Sequence, residues 1–192
     1  MICGMTYFQI CLYFLVYSFG GWVVEVIFHA VALGKVINRG FLNGPVCPVY
    51  GFGVLSVFAL LNTIQSGGHQ MSEGMIFVFG FVLATAVELI AGWLLDVCFH
   101  ARWWDYSQMR FNLNGRICLE GFFIFGFFSV TAVKNVQPHL THFLIQYDFI
   151  PMVIASTVCV TLFTSDFITT FVEATHLAKK LETVSKELKN FA

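Results

Sequence analysis

The chain has 192 residues, of which 58% are hydrophobic and only 11% are charged, and its formal net charge is −1. A soluble domain carries about a quarter charged residues to face water, so this composition excludes an ordinary soluble globule. The sequence has no basic run and no RNA-binding motif, which excludes nucleic acid as a partner. We therefore predict a single all-α bundle whose solvent is the lipid bilayer.

Five apolar stretches are long enough to cross a bilayer as helices, which requires about 20 residues each. In chain order they cover residues 7–32, 46–64, 74–99, 117–133 and 149–171. The second stretch begins inside GPVCPVYGFG, where glycines and prolines favour a re-entrant or unwound start. The sequence thus predicts a polytopic transmembrane helix bundle with about five spanning helices.

Beyond residue 171, apolar residues recur at three- and four-residue steps among lysines and glutamates. They are Leu177, Leu181, Val184 and Leu188. This spacing is typical of an amphipathic helix, which could contact a partner or lie on the membrane surface. We therefore divide the chain into a transmembrane bundle, residues 1–171, and a cytoplasmic amphipathic helix, residues 172–192.

The connections between the stretches carry positive charge unequally. Successive connections alternate between the two sides of the membrane. Of the ten lysines and arginines, only Lys134 falls in a connection on the first of these sides. The nine on the other side are Lys35, Arg39, Arg102, Arg110, Arg116, Lys179, Lys180, Lys186 and Lys189. Because positive residues gather in cytoplasmic loops, this bias predicts a multi-pass protein of the cell (cytoplasmic) membrane, with its N-terminus outside and its C-terminus in the cytoplasm.

Five carboxylates lie inside or at the edges of the apolar stretches: Glu25, Glu88, Asp96, Glu120 and Asp166. An acid at the centre of a span costs roughly 2.5–3.5 kcal/mol and so usually faces a cavity or a partner. Asp96, Glu120 and Asp166 lie where arginines could pair with them and hold the bundle together. For Glu25 and the deeper Glu88 a functional role is favoured, and we expect a cavity that opens to the cytoplasm and ends near Glu88.

Both predicted cytoplasmic connections have unusual sequences, RGFLNGPVCPVYG over residues 39–51 and RWWDYS with FNLNGR over residues 102–116. Aromatic residues in the second fit an interfacial belt, whereas its Asp, Asn and Arg residues are not required for anchoring. The candidate cavity or substrate-binding residues are Glu25, Pro45, Tyr50, Glu88, Asp96, Trp103, Trp104, Asp105, Tyr106, Asn112, Arg116 and Glu120.

Several kinds of site are missing from the sequence. It has no GxxxxGK[ST] loop for ATP, no HExxH motif, no paired-cysteine zinc spacing and no GxSxG elbow. The six cysteines fall in or beside apolar runs, where a thiol behaves as a small hydrophobe. We expect no metal and no cofactor.

The order GPVCPVYGFG, an intramembrane glutamate, WWDYS and FNLNGRICLE resembles the bacterial family of ABC-transporter permeases of the CmpB type, over residues 20–121. The resemblance implies a permease partnered by a separate ATPase subunit in the cytoplasmic membrane. The positions that carry it are Gly44, Pro45, Pro48, Tyr50, Gly51, Glu88, Trp104, Asp105, Tyr106, Asn112, Gly115 and Arg116. Glu120 and Gly121 depart from the family pattern, which favours small or apolar residues after RICL.

Three functions remain open. In the favoured one, a transport subunit, the acids and the GPVCP segment line a substrate path, and a homodimer is expected because five helices enclose little volume. In the second, an intramembrane enzyme acts on a lipid or isoprenoid, with Glu88, Asp96 and Asp105 as acid or base groups and Trp103 and Trp104 against the apolar substrate. The third is a structural or regulatory membrane protein.

Overall fold

The computed structural model describes residues 5–36, 38, 40–100 and 102–190. Arg39, counted above among the nine positive residues, lies outside this range. So do the side chains of Leu181, Val184 and Leu188, on which the amphipathic pattern depends.

The structure is all-α apart from one short hairpin. The helices are α1 Tyr7–Leu33, α2 Pro48–Ser66, α3 Glu73–Phe99, α4 Leu119–Thr131, α5 Gln137–Leu144 and α6 Phe149–Asn190. A π-helical turn, Ala132–Val136, joins α4 to α5 without a break. The strands β1 Asn112–Leu113 and β2 Ile117–Cys118 pair antiparallel in the α3–α4 connection.

Five segments of the described chain are long and apolar enough to cross a membrane: Tyr7–Val31, Pro48–Ser66, Glu73–Phe99, Leu119–Leu144 and Phe149–Leu177. Only 6–28% of the most apolar part of each is buried within the protein, which leaves most of the hydrophobic surface for lipid. The predicted fold class is confirmed, and the protein is a multi-pass membrane protein.

Local sequence signals account for the helix ends. Thr6 and Gln9 form a reciprocal capping box at the start of α1, in which Gln9 Oε1 accepts from the Thr6 backbone N–H at 2.9 Å. Ser72 caps α3 by accepting from Met75 N–H, and Pro48 occupies the first turn of α2, where no backbone donor is needed. Gly34 ends α1 in the left-handed conformation, with φ +64°.

The fourth span is longer than predicted. Residues after 133 were expected to form a connection, because Lys134, Asn135 and Pro138 are typical of loops, but the helix continues to Leu144. Pro138 lies in the first turn of α5, and the π-helical turn before it provides the extra residue that relieves the clash of its ring with the preceding turn. Lys134 therefore lies within a span rather than in a loop.

Helix α6 is also continuous, from Phe149 to Asn190, so that no helix end marks residue 171. The division of the chain into a bundle and a cytoplasmic amphipathic segment stays a prediction.

The helices pack in the order α6, α1, α2, α3, α4, with each contacting the next. The described parts of two connections, residues 40–47 and 102–118, lie together at one end of the bundle, where Phe41 packs against Phe99 and Trp103. We call this end the loop end. At the opposite end, aromatic and aliphatic residues form the hydrophobic core: Tyr13, Tyr17, Val57, Phe58, Leu61, Met71, Ile76, Ala132 and Leu144. The core therefore holds α1, α2, α3 and the fourth span together far from the loop end.

Gly80 gives a test of this packing, because α4 lies close against α3 there. A Cβ at Gly80 would collide with the Ser129 side chain, whereas one at Gly74 in the same helix meets nothing closer than 4.0 Å. We expect Gly80→Ala to destabilise the bundle by about 1–3 kcal/mol through overpacking. Gly74→Ala should cause no loss, since alanine is the better helix former. Thermal unfolding in detergent measures both, and equal unfolding temperatures would contradict the close contact.

Candidate functional site

The first carboxylate of the candidate site, Glu25, lies on α1 and is bound by a tyrosine of α2. Tyr50 Oη donates to Glu25 Oε1 at 2.6 Å. The contact depends on Gly21, one turn before Glu25, because any side chain at Gly21 would collide with the Tyr50 ring. His29, one turn after Glu25, lies with Nδ1 3.5 Å from Glu25 Oε2.

The second carboxylate, Glu88, lies on α3 and is bound from the connection that follows that helix. Tyr106 Oη donates to Glu88 Oε1 at 3.0 Å. Glu88 is only 7% exposed, although it stands in the middle of an apolar span. The loop thus supplies a hydrogen-bond donor to an acid that the helix itself leaves unpaired.

The two pairs belong to one polar cluster. The pKa of Tyr106 is raised first by burial, then by the negative charge of Glu88, and further by the charge of Glu25. Cys47, which precedes α2, is also near Glu25: burial and then that charge raise the pKa of its thiol to about 12. We call Glu25, Tyr50, Glu88 and Tyr106 the carboxylate–tyrosine cluster.

A second set of contacts fixes the loop to α3. Arg116 Nη2 forms an ion pair with Asp96 Oδ2 at 2.5 Å, with side-chain exposures of 22% and 29%. Trp104 Nε1 donates to the Arg116 carbonyl at 2.9 Å, and its ring lies against Gly92, where a Cβ would be 3.2 Å away. Asp96 therefore has an arginine partner, as expected of an acid that holds the bundle together.

The polar residues of the loop bind the loop's own backbone. Asp105 Oδ1 accepts from Ser107 N–H at 2.9 Å, and this bond, followed by the charge of Arg102, holds the pKa of Asp105 below its usual value. Asn112 Oδ1 accepts from Gly115 N–H at 2.9 Å. Gly115 adopts φ +69°, and the Gly115 carbonyl accepts from the Tyr106 N–H at 2.8 Å. Asp105 and Asn112 thus position Tyr106 rather than line the cluster.

The first connection is fastened to α6 by contacts that the sequence patterns did not predict. Asn43 N–H donates to Thr170 Oγ1 at 3.2 Å, and the Asn43 amide donates to Glu173 Oε2 at 3.0 Å. Asp166 was expected to pair with an arginine, but its Oδ2 accepts from Gly44 N–H at 3.0 Å. Gly44 permits this because its missing Cβ would lie only 2.9 Å from that oxygen. No local signal marks these partners, because they are more than 120 residues apart in sequence.

The three remaining candidate residues, Pro45, Trp103 and Glu120, are not part of the cluster. Pro45 and Glu120 are exposed. Glu120 is in the first turn of α4, where the positive end of the helix dipole stabilises a negative charge. Trp103 packs against Phe41 and Phe99, with ring centroids 5.1 and 5.9 Å apart. The cavity expected to end near Glu88 stays a prediction, since Tyr106 covers that carboxylate from the loop end.

Comparison with protein families gives one match, over residues 12–171, to the family described as "Putative ABC-transporter type IV". The chain belongs to this family. The match extends beyond the region in which the motifs are similar, and it covers all the residues of the carboxylate–tyrosine cluster. No curated protein and no solved structure matches the chain.

Membership of this ABC-transporter family, together with the five membrane-spanning segments, makes the chain a membrane protein of the transport type. The chemistry of the cluster suits such a protein. Neither lysine nor arginine forms an ion pair with Glu25 or Glu88 within the described ranges. Tyrosine hydroxyls donate to both carboxylates, and the His29 ring lies near Glu25. Such a pair of acids can accept a proton or a cationic group.

The Asp96–Arg116 ion pair should hold the loop of this transporter-family chain on α3. In a double-mutant cycle of Asp96→Asn and Arg116→Gln, we expect a coupling of about 1–2 kcal/mol in the free energy of unfolding. Arg102 and Asp105 form the matched control, because their atoms are 3.9 Å apart and both side chains are well exposed. That pair should show a much smaller coupling, and equal couplings would contradict a special role for Asp96.

Tyr106 should make the protein sensitive to alkali. Its pKa is raised in the folded state, so above pH 10 the unfolded chain loses this proton while the folded chain keeps it. Stability should therefore fall as the pH rises past about 10, and it should fall less steeply in Tyr106→Phe. Unfolding temperatures of the two proteins from pH 7 to 11 measure the difference. Identical slopes would show that Tyr106 is not buried against Glu88.

Proposed function

We propose that the chain is the permease subunit of an ABC-type transporter in the cytoplasmic membrane, and that the carboxylate–tyrosine cluster lines its substrate path. The observation that carries this proposal is Glu88, an acid 7% exposed in the middle of a span, whose partner is a tyrosine donor from a loop. Ionisable residues inside membrane bundles mark substrate or ion pathways. The family match over residues 12–171 supports transport as the process.

A purely structural role for Glu25 and Glu88 accounts less well for their surroundings. The acids that fasten elements together here have other partners: Asp96 pairs with Arg116, and Asp166 accepts from the Gly44 N–H. Glu25 and Glu88 instead accept from tyrosine hydroxyls, which compensate no charge, and the titratable ring near Glu25 is that of His29. Repulsion between two nearby carboxylates is relieved by a proton or a cation. We therefore propose a cationic substrate or a coupled proton at this cluster.

Access to the cluster would be from the loop end. Tyr106 lies on Glu88 from that side, so a cavity open to the cytoplasm requires the loop 102–118 to move away. The excess of positive charge in the connections supports a cytoplasmic loop end, an outside N-terminus and a cytoplasmic C-terminus. An ATPase subunit would then bind at this end, and a second copy of the chain would complete the path.

The partner is tested by purifying the tagged full chain from bacterial membranes in mild detergent. The expected result is an ATP-binding subunit, identified by mass spectrometry, together with ATP hydrolysis that follows the tag. A chain that purifies without any ATPase would overturn the ABC assignment. If instead the chain alone converts a lipid extract, and Glu88→Gln stops the conversion, the protein is an intramembrane enzyme.

The role of Glu88 is tested in vesicles that contain the complex, by comparing the solutes accumulated from a cell extract with and without ATP. Glu88→Gln keeps the side-chain shape but removes the charge, and it should lower the ATP-dependent accumulation at least tenfold. Glu73→Gln, on the same helix but exposed at the opposite end, is the matched control and should keep full activity. Equal accumulation by the two variants would exclude Glu88 from the path.

A further inference from the structure

The connection between α3 and α4 presents three large apolar side chains that are mostly uncovered. Met109, Phe111 and Leu113 are 45%, 68% and 53% exposed. They lie outside the membrane-spanning segments, so the lipid around the spans does not by itself account for them. Exposed apolar side chains that lie close together mark an interaction surface.

The pairing of the hairpin places two of these side chains on one face. Leu113 pairs with Ile117, and the Leu119 N–H donates to the Phe111 carbonyl at 2.8 Å. Alternate residues of a strand share a face, and directly paired residues share it too. Phe111 and Leu113 therefore lie on the same side of the hairpin as Leu119, which is also exposed. We call Phe111, Leu113 and Leu119 the apolar hairpin face.

The bond from Leu119 also gives the depth of this face. Leu119 begins the span Leu119–Leu144, which has 26 residues and is therefore about 39 Å long. The hydrocarbon core of a bilayer is about 30 Å thick, and the headgroup layers bring the total to about 40–45 Å. The ends of the span thus reach the headgroup layers, and the strand bonded to Leu119 lies at the same level.

The apolar hairpin face continues a lipid-facing stripe of α4. Leu119, Phe123 and Phe127 follow at four-residue steps, which places them on one side of the helix, and all three are exposed. Phe123 and Phe127 lie deeper in the span, where the surrounding solvent is lipid. This continuity favours lipid over a soluble protein as the partner of the hairpin.

The tryptophans of the same connection, whose sequence fits an interfacial belt, are engaged within the protein. Trp103 packs against Phe41 and Phe99. Trp104 Nε1 donates to the Arg116 carbonyl at 2.9 Å. Both tryptophans are only partly exposed. The more exposed surface at this depth is the apolar hairpin face.

A cation beside this face has no acidic partner within the described residues. Arg116 pairs with Asp96, and Arg102 lies 3.9 Å from Asp105. Arg110, at the edge of the hairpin, is exposed and forms no ion pair in the part of the chain that the structure describes. A guanidinium group can bind two oxygens of one phosphate. Arg110 is therefore suited to an anionic headgroup.

We propose that the hairpin is a membrane anchor. Its apolar face enters the headgroup layer, and Arg110 binds the phosphate of an anionic lipid. Apolar side chains on one face and an arginine beside them are the combination that holds protein segments in the interface of a bilayer.

The anchor acts on the loop that carries Tyr106. The Tyr106 N–H donates to the Gly115 carbonyl at 2.8 Å, and Gly115 lies in the turn of the hairpin. A hairpin held by lipid therefore also holds Tyr106 against Glu88. The anchor does not depend on the proposed transport function, because it requires neither ATP nor an ATPase subunit.

Photochemical crosslinking identifies what covers the apolar hairpin face. The photoreactive residue p-benzoylphenylalanine is placed at position 111 of the full chain, and bacterial membranes are irradiated. We expect lipid adducts on the labelled peptide in mass spectrometry. The same residue at position 123, on the lipid-facing side of α4, is the matched control for the yield of such adducts. Adducts at position 111 with another protein or with a second copy of the chain, or no adduct there, would overturn the proposal.

Hydrogen exchange tests the role of Arg110. The backbone amides of residues 106–113 are followed in the purified full chain, in nanodiscs of phosphatidylcholine with and without anionic phosphatidylglycerol. Exchange should be about fivefold slower with the anionic lipid, since one arginine near an anionic surface contributes about 1 kcal/mol. Arg110→Gln should remove this difference. Lys35→Gln, which removes an exposed charge just after α1, should keep it. Equal exchange of the unaltered chain in both lipids, or an equal loss in the two variants, would exclude Arg110 as the lipid contact.

Discussion

Carboxylates inside a lipid-facing bundle need hydrogen-bond donors from the protein, since the hydrocarbon offers none. In this chain the donors to Glu25 and Glu88 are the hydroxyls of Tyr50 and Tyr106, at 2.6 and 3.0 Å. Much of the loop end is arranged around these two bonds. Gly21 leaves room for the Tyr50 ring, and the connection after α3 folds back so that Tyr106 can reach α3.

The connection after α3 therefore acts as a folded unit rather than a simple link. Three features fix the position of Tyr106 in this connection. They are its hairpin, the turns closed by Asp105 and Asn112, and the Asp96–Arg116 ion pair. These contacts give a mechanical link between the loop end and the carboxylates. Movement of the loop would therefore also uncover Glu88.

The two ends of the bundle differ in chemistry. The loop end holds two acids that accept from tyrosine hydroxyls, with the His29 ring near one of them. The opposite end holds the hydrophobic core. Helix α6 contacts α1 and fastens the first connection through Asp166 and Thr170, while most of its apolar surface remains for lipid.

The sequence by itself determined the number of spans and the family, because hydropathy over about 20 residues and motifs such as WWDYS are local properties. It also singled out Glu25, Glu88, Tyr50 and Tyr106. It placed the end of the fourth span too early, because the π-helical turn that accommodates Pro138 has no sequence signature. Only the tertiary structure decided which tyrosine binds which acid, that Asp166 binds a backbone N–H, and that Asp105 and Asn112 serve the loop. These pairings join residues that are distant in sequence. They are determined by how the helices pack, and the local sequence pattern does not encode that packing.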